Sequence, residues 1–382
     1  MRRGLTGLLV TAALLLGGCA STPYRLHEGL ETDFTLRLLE DEPQIERGRP
    51  NAWVDGFGHY FFSLPTKLIL LNWRVNNHRI SQEVEDALQI YLWANGLCNT
   101  KVRINQYAPG DEYRRLFANG EMPVGWRYTL GLLSVTFYAI FPGRLFAGFP
   151  IIGGGDSYNP YTNSLHIYSD LRSVALHEGG HAKDLAMTEG RQLKGLYAGA
   201  RAVPLVGIPV ALYQEAVASN DALSWELATG NARDSRSAYR TLYPAYGTYV
   251  GGAASTGAAY FLDRLWLLYA IQFGVVAAGH IGGQTRALFV RDRDEGLEPE
   301  LLEIEPLPPA KNGETRDGQY ELRPNPCQPD PVEPQLPEGH DRGRSERQII
   351  RGRLLEVERL REQDLITEEE YEQIRQRILD DL

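Results

Sequence analysis

The stretch Leu176–Ala182 constrains the fold of this chain more than any other, because it contains the pattern His-Glu-x-x-His. His177 and His181 are four positions apart, so on an α-helix their side chains lie one turn apart on the same face. That spacing lets both imidazoles bind one metal ion, and zinc is the usual occupant. Glu178 projects about 100° around the helix from His177, where it can take a proton from a metal-bound water without binding the metal.

Two features next to the motif support a strand-to-helix unit. Leu165 and Ile167 alternate with His166 and Tyr168, a pattern that predicts a half-buried strand directly before the helix. The adjacent glycines of the motif, at positions 179 and 180, should each cost a helix about 1 kcal/mol relative to alanine. We therefore predict that something in the fold requires a bare backbone at these two positions.

The upstream sequence predicts a second unit of the same kind. Ser81 can open an amphipathic helix, and Lys101–Asn105 alternates as a strand. Leu68–Arg74 is a further candidate strand, and Asp111–Asn119 a short helix. Strands and helices in this order predict an α+β fold for the domain at residues 51–291.

A tetrahedral zinc site of the catalytic type needs a third protein ligand and leaves its fourth position open to water. The best candidate is Glu215, which lies 34 residues after His181 in a stretch with helical periodicity. The small residues Ala216 and Ala218 would let that helix approach the motif helix closely. His166 and Glu189 are the competing candidates for the third position.

In these residues the chain resembles the gluzincin-type metallopeptidases, which share the His-Glu-x-x-His helix and a glutamate, typically followed by alanine, on a second helix. The resemblance covers roughly residues 159–227 and implies a zincin-like core. It also implies a Zn²⁺ ion held by His177, His181 and Glu215, with Glu178 as the general base.

The resemblance leaves two supporting roles open. In several of these families an aspartate four positions after the glutamate supports a histidine ligand, but this chain has Ser219 there. Asp221 and Asp184 are then the candidates for that role. The families also use a histidine or tyrosine that stabilises the transition state. The candidates for it here are His280, Tyr243 and Tyr246.

The N-terminus has the features of a bacterial lipoprotein. A basic start, an apolar run and the sequence Leu-Gly-Gly-Cys indicate a signal peptide at residues 1–18. This end resembles a lipobox, which implies cleavage before Cys19 and lipid attachment to its sulfur. We expect residues 19–50 to form a polar tether, and a protein anchored in the cell envelope, at the outer membrane and facing the periplasm.

The C-terminal part differs from the domain in composition. Residues 292–343 are rich in proline and predict an extended linker. Residues 344–382 have two amphipathic helical patterns, with a capping box at Thr367 and Glu370. They resemble the short C-terminal (SHOCT) module of bacterial proteins, which implies a helical hairpin that serves interaction or self-association.

Three uncharged apolar stretches, Tyr128–Gly143, Ala202–Gln214 and Leu265–Gly279, are each shorter than the roughly 20 residues that a spanning helix requires. Two interpretations stay open for them: buried core, or a surface that rests on the membrane. A disulfide between Cys98 and Cys327 also stays open.

These features favour a zinc-dependent envelope peptidase that acts on a protein or peptide, which the Leu165–Tyr168 strand could align by backbone pairing. One alternative is a non-catalytic scaffold or assembly lipoprotein with a structural metal. Another is a metal amidase that acts on a cell-wall substrate. The net charge of −10 argues against nucleic acid as a partner.

Overall fold

The computed structural model describes residues 44–147, 155–203, 206–229, 231–259 and 265–291. The chain divides into two compact units, Met1–Gln328 and Pro329–Leu382, and all described residues belong to the first. The predicted signal peptide, Cys19, most of the tether, the linker and the C-terminal hairpin lie outside the described residues. Cys98 is disulfide-bonded. The other two cysteines of the chain, Cys19 and Cys327, lie outside the described residues.

The described part has mixed α and β structure with one small sheet. Its four strands are β1 (Ile45–Arg47), β2 (Lys101–Ile104), β3 (Ser157–Asn159) and β4 (Ser164–Ile167), in the order β1-β2-β4-β3. Strands β1, β2 and β4 are parallel to one another, whereas β3 is antiparallel to β4 and forms an edge of the sheet. Strand β1 lies within the range predicted as tether, so the folded structure begins before residue 51.

Twelve α-helices are present among the described residues. The first seven are α1 (Ala52–Phe57), α2 (Leu64–Leu70), α3 (Gln82–Ala94), α4 (Pro109–Ala118), α5 (Val124–Trp126), α6 (Leu132–Ile140) and α7 (Gly143–Phe146). The other five are α8 (Arg172–Ala186), α9 (Arg191–Gly199), α10 (Gly207–Thr229), α11 (Ala232–Ala259) and α12 (Leu265–Leu288). Two π-helical turns, Gly58–Phe62 and Arg127–Gly131, and a 3₁₀ turn, Ala200–Ala202, join some of them.

The motif helix α8 lies in the centre of this arrangement, in contact with α3, α10 and α11. The main core joins the sheet to these helices, with Val102 and Leu165 from the sheet, Tyr91 from α3, Leu176 from α8 and Trp225 from α10 all at most 1% exposed. The predicted helix that follows Ser81 and the strand that begins at Lys101 are both confirmed.

Strand β4 is buried on both faces, so the prediction of a half-buried strand was wrong. The alternation is present, but α4 and α6 cover the face that was expected to be exposed. On that face Arg103 donates a hydrogen bond to Glu112 of α4 at 2.6 Å, and His166 lies 3.7 Å from the same carboxylate. Buried charges that are paired in this way let polar residues occupy a buried strand.

The long apolar stretches are only partly buried. Leu133 is 65% exposed, Tyr213 60%, Trp266 63% and Phe273 56%. The stretch Leu265–Gly279 is also part of a longer helix, because α12 continues to Leu288. Among the described residues, Trp266–Leu288 is long and apolar enough to cross a membrane, a test that the core helix of a soluble protein also passes. Leu68–Leu70, predicted as part of a strand, belongs to helix α2.

Candidate metal centre

The two glycines of the motif lie where α8 meets its neighbours. A Cβ on Gly180 would stand 3.0 Å from the Cα and carbonyl oxygen of Ala218 in α10, and a Cβ on Gly179 would stand 2.7 Å from the ring of Tyr91 in α3. Both distances are shorter than ordinary van der Waals contact. The predicted need for a bare backbone is therefore confirmed, and the close approach brings the backbone of α10 against the histidine helix.

This packing brings together the three residues that could hold a metal ion. Nε2 of His177 lies 3.1 Å from Oε2 of Glu215, and Nε2 of His181 lies 3.4 Å from the same oxygen. The potential ligand atoms of the three residues all lie within 4.8 Å of one another. The two imidazole rings are nearly perpendicular, at 82°, with centroids 4.7 Å apart. The expected proximity of Glu215 to the histidine pair is confirmed.

These distances fit one small cation. Two ligand atoms that each bind zinc at 2.0–2.2 Å in a tetrahedral arrangement are about 3.4 Å apart. The two nitrogen–oxygen distances are close to that value, so Glu215 already has the separation from each histidine that a shared zinc ion needs. Two imidazoles and one carboxylate also form a donor set that zinc accepts readily.

Two further side chains orient the ligands. Oγ of Ser219 lies 3.3 Å from Nδ1 of His177, so a protonated Nδ1 can donate to the hydroxyl and leave Nε2 free for a metal. Arg201 donates a hydrogen bond at 2.8 Å to Oε1 of Glu215, the carboxylate oxygen that does not face the histidines. Ser219, four positions after Glu215, is therefore in contact with a histidine of the motif.

The prediction that Asp221 or Asp184 supports a histidine of the motif was wrong. Asp221 accepts hydrogen bonds from Lys183, at 2.6 Å, and from Tyr91, so it ties α10 to α8 and α3. Asp184 accepts a hydrogen bond from Tyr197 of α9. Neither carboxylate is bonded to a histidine of the motif.

The electrostatics of the three residues reflect their burial and their mutual contact. Burial alone would raise the pKa of Glu215, but the charges and hydrogen bonds of His181 and His177 hold it well below its usual range. Burial lowers the pKa of His181, whereas for His177 the hydrogen bond with Glu215 and the nearby carboxylates outweigh burial and raise the pKa. The site thus stabilises negative charge on Glu215, the form that binds a cation.

Glu178 points into a cavity next to this cluster. The side chain is 7% exposed, and burial raises the pKa of its carboxyl group to about 8, with the negative charge of Glu215 adding to the effect and His177 opposing it. A divalent cation at the site would lower that pKa, because it stabilises the carboxylate. Glu178 is not among the residues that could bind the metal directly.

The cavity has a volume of about 310 Å³. Its walls are built from five parts of the chain: the edge strand β3, helix α8, helix α9 with the turn after it, helix α10 and helix α11. Side chains that face it and can take part in chemistry are Glu178, His181, Glu215, Arg201 and Tyr249. The cluster is therefore accessible to a small group rather than sealed in the core.

Tyr249 was missed by sequence reasoning, which favoured other residues of this part of the chain. The negative charge of Glu215 and then burial raise the pKa of its phenol well above the usual value, and its hydroxyl is hydrogen-bonded to Glu215. His280, the predicted transition-state residue, is bonded to the carbonyl of Ile69 at 2.9 Å instead, because it faces α2. Tyr243 and Tyr246 are buried in the core.

The competing ligands and the predicted peptide-binding strand are also placed by the structure. His166 lies on the other side of the sheet, beside Glu112, and Glu189 is exposed after the end of α8. Strand β4 pairs with β2 on one side and β3 on the other, so it has no free edge for a peptide. Among the strands that the structure describes, the edge strand next to the cavity is β3.

No family model matches the chain, and comparisons with curated proteins and with solved structures find no similar protein. The class of site is therefore defined by its side chains alone. It is a candidate metal centre of two histidines and one glutamate, with a buried glutamate beside it and an adjoining cavity.

Proposed function

We propose that this chain is a zinc-dependent hydrolase of the bacterial envelope with a zincin-like core, and that its substrates are proteins or peptides. One observation carries the proposal: His177, His181 and Glu215 converge at the cavity into which Glu178 also points. A zinc ion bound there would act as a Lewis acid, polarising a carbonyl group and lowering the pKa of water.

Glu178 is placed to move the proton. Its carboxylate accepts a proton from the water that attacks the substrate carbonyl, and the resulting acid can give it to the leaving amine. Burial raises the pKa of this carboxyl group to about 8 in the metal-free site, and a bound cation would lower it toward the range in which the carboxylate accepts a proton near neutral pH. A glutamate with an ordinary pKa would be a weaker acid–base catalyst at the same pH.

Tyr249 and Arg201 supply hydrogen-bond donors in the same cavity. Tyr249 is 42% exposed and its raised pKa keeps the phenol protonated, so it can donate to an oxyanion as charge develops. Arg201, through its bond to Oε1 of Glu215, fixes the orientation of the carboxylate ligand. We assign Tyr249 the role for which sequence reasoning favoured His280.

The edge strand β3 offers a way to hold an extended peptide. Ser157 and Tyr158 line the cavity, and one edge of β3 is paired with β4 while its other edge is free of partner strands among the described residues. A peptide added to that edge by backbone hydrogen bonds would run past Glu178. This assignment replaces the one made for β4.

The alternatives differ in what they require of the site. A purely structural zinc normally has four protein ligands, whereas the group found among the described residues has three and adjoins a cavity. These observations favour catalysis over a scaffold with a structural metal. A cell-wall amidase would use the same residues, and it is distinguished by substrate.

The proposal is tested by casein hydrolysis with the zinc-loaded protein, after dialysis against a chelator, and after zinc is added back. Glu178→Gln should lower turnover by about 10²- to 10⁴-fold while zinc content stays that of the wild type. Glu189→Gln, an exposed glutamate after the same helix, is the matched control and should retain full activity. Unchanged turnover in Glu178→Gln would refute the mechanism. A wild type that cleaves cell-wall amides but not casein would favour the amidase.

A further inference from the structure

One face of α12 is uncharged, apolar and exposed along most of the helix. Between Leu265 and Leu288 the only charged residue is Arg286, near the C-terminal end. The exposed positions follow helical spacing and include Trp266 at 63%, Tyr269 at 54%, Phe273 at 56% and Ile281 at 69%. Helices of soluble proteins normally turn such residues toward the core.

The opposite face of α12 packs on α11 through glycines instead of large side chains. Gly247 and Gly251 of α11 approach the backbone of α12 at Val275 and Gln272, where an added Cβ would stand 3.2 and 3.0 Å from backbone atoms. Gly279 and Gly283 of α12 approach the backbone of α11 in the same way. Both pairs have the spacing Gly-x-x-x-Gly, which is typical of helix pairs in lipid. Helix α12 thus directs small residues toward α11 and its aromatic residues outward.

The sequence ahead of the described residues indicates which surface this face meets. Cys19 is the predicted lipid attachment site, and only residues 20–43 separate it from the part of the chain that the structure describes. A fully extended chain of that length spans at most about 85 Å, so the lipid would hold the folded domain close to the bilayer. Tryptophan and tyrosine are also the residues that favour the bilayer interface.

We propose that the exposed face of α12, centred on Trp266, Tyr269 and Phe273, docks on the surface of the lipid bilayer, and that the substrates are polypeptide segments held at that surface. The second statement rests on the proposed function. The face would lie in the plane of the interface, as an amphipathic helix does, with its aromatic side chains among the headgroups and upper acyl chains.

The position of the metal centre relates this docking to the substrate. Tyr249, which lines the cavity, lies on α11 between the two glycines that contact α12. The cavity is thus one helix away from the docking face, a distance of about 8–10 Å between helix axes. Val203 and Val206, at the turn between α9 and α10, add exposed apolar side chains near Arg201. A substrate that reaches the cavity from the bilayer surface therefore crosses little water.

The net charge of the chain makes the expected binding apolar in origin. A protein with a net charge of −10 is not attracted to anionic lipid, and the docking face carries no lysine cluster. The interaction should therefore persist at high salt, whereas an electrostatic contact would weaken.

The docking is tested with the acylated protein in vesicles of phosphatidylethanolamine and phosphatidylglycerol, with and without brominated acyl chains. The difference between the fluorescence of the wild type and that of Trp266→Phe isolates the signal of Trp266. We expect brominated lipid to quench this signal and aqueous iodide to leave it largely unquenched, at low and at high salt. Quenching by iodide but not by brominated lipid would overturn the proposal.

The substrate class is tested with Phe273→Glu, which places a charge on the docking face outside the catalytic cavity. Phe117→Glu is the matched control, because Phe117 is an aromatic residue of similar exposure, 47%, on α4 across the sheet. We expect Phe273→Glu to cleave a vesicle-anchored peptide at least tenfold more slowly than the wild type and soluble casein at the same rate. Phe117→Glu should match the wild type on both substrates.

Equal rates for Phe273→Glu and the wild type on the anchored peptide would overturn the substrate class, and so would an equal loss on both substrates. If the wild type cleaves neither substrate, the proposed function fails instead. The quenching of Trp266 then decides the docking by itself, since that measurement does not depend on activity.

Discussion

The close packing of α8 on α10 makes Gly180→Ala a sensitive probe of the metal centre. The added Cβ would stand 3.0 Å from the Cα and the carbonyl oxygen of Ala218, whereas ordinary contact begins at 3.4 Å. Backbone atoms cannot rotate away as a flexible side chain can, so α10 must move by about 0.4 Å relative to α8. Glu215 lies on α10, less than one turn before Ala218, and moves with it.

The expected size of the effect follows from the tolerance of the proposed zinc site. Zinc–ligand bonds vary by about 0.2 Å, so a shift of about 0.4 Å exceeds what the site tolerates without distortion. Changes that disturb the orientation of a ligand weaken metal binding by about 10- to 100-fold, and we expect a loss in this range. The net change in the free energy of unfolding of the metal-free protein should be small, because two effects oppose each other. Overpacking costs about 1–3 kcal/mol, whereas replacing a helical glycine by alanine stabilises the helix by about 1 kcal/mol.

The assay compares zinc affinity, from competition with a chromogenic chelator, and the free energy of unfolding of the metal-free protein, from urea denaturation. Gly252→Ala is the matched control, because Gly252 lies inside α11 and an added Cβ there meets no atom within 4 Å. This variant should keep the zinc affinity of the wild type and gain about 1 kcal/mol in stability. Wild-type zinc affinity in Gly180→Ala would refute the link between helix packing and the metal site.

Three further predictions concern other parts of the chain. Burial raises the pKa of Glu226 to about 7, with Arg172 opposing, so the folded state loses up to about 3 kcal/mol at this site as pH rises from 4.5 through 7. Glu226→Gln should remove that loss, measured as the difference between the free energies of unfolding at pH 5 and pH 8 from urea titrations. A difference equal to that of the wild type would contradict this. Cys19→Ser should block acylation and leave an uncleaved precursor, seen as a larger band on immunoblots of membrane fractions; a mature acylated form would disprove the lipobox. Deletion of residues 345–382 should leave the Tm and zinc affinity of the domain nearly unchanged, because a proline-rich linker transmits few contacts; a large drop in Tm would show packing on the domain.

The three candidate metal ligands could be predicted from sequence because local geometry determines most of their arrangement. Helical spacing alone puts His177 and His181 on one face, and the adjacent glycines, Gly179 and Gly180, indicate a close contact with another helix. The placement of Glu215 needed one further assumption, that the next helix with small residues packs against the first. That contact occurs at Gly180 and Ala218.

The remaining site residues depend on contacts that are distant along the chain. Tyr249 reaches the cavity because α11 packs against both α8 and α12, and no local pattern distinguishes it from Tyr243 or Tyr246. His166 shows the same limit in the sheet. Alternation correctly separated it from Leu165, but it gave no sign that α4 would cover the second face with Glu112. Sequence periodicity reports which residues share a face, and tertiary packing decides what that face meets.

Zinc binding tests the central claim most directly, because the proposed chemistry depends on His177, His181 and Glu215 forming one site. Isothermal titration of the metal-free wild type with zinc should give one site per chain. Glu215→Gln keeps the shape of the side chain but removes its charge, and we expect it to bind zinc at least 100-fold more weakly. A wild type that binds no zinc, or a Glu215→Gln variant with wild-type affinity, would contradict the account.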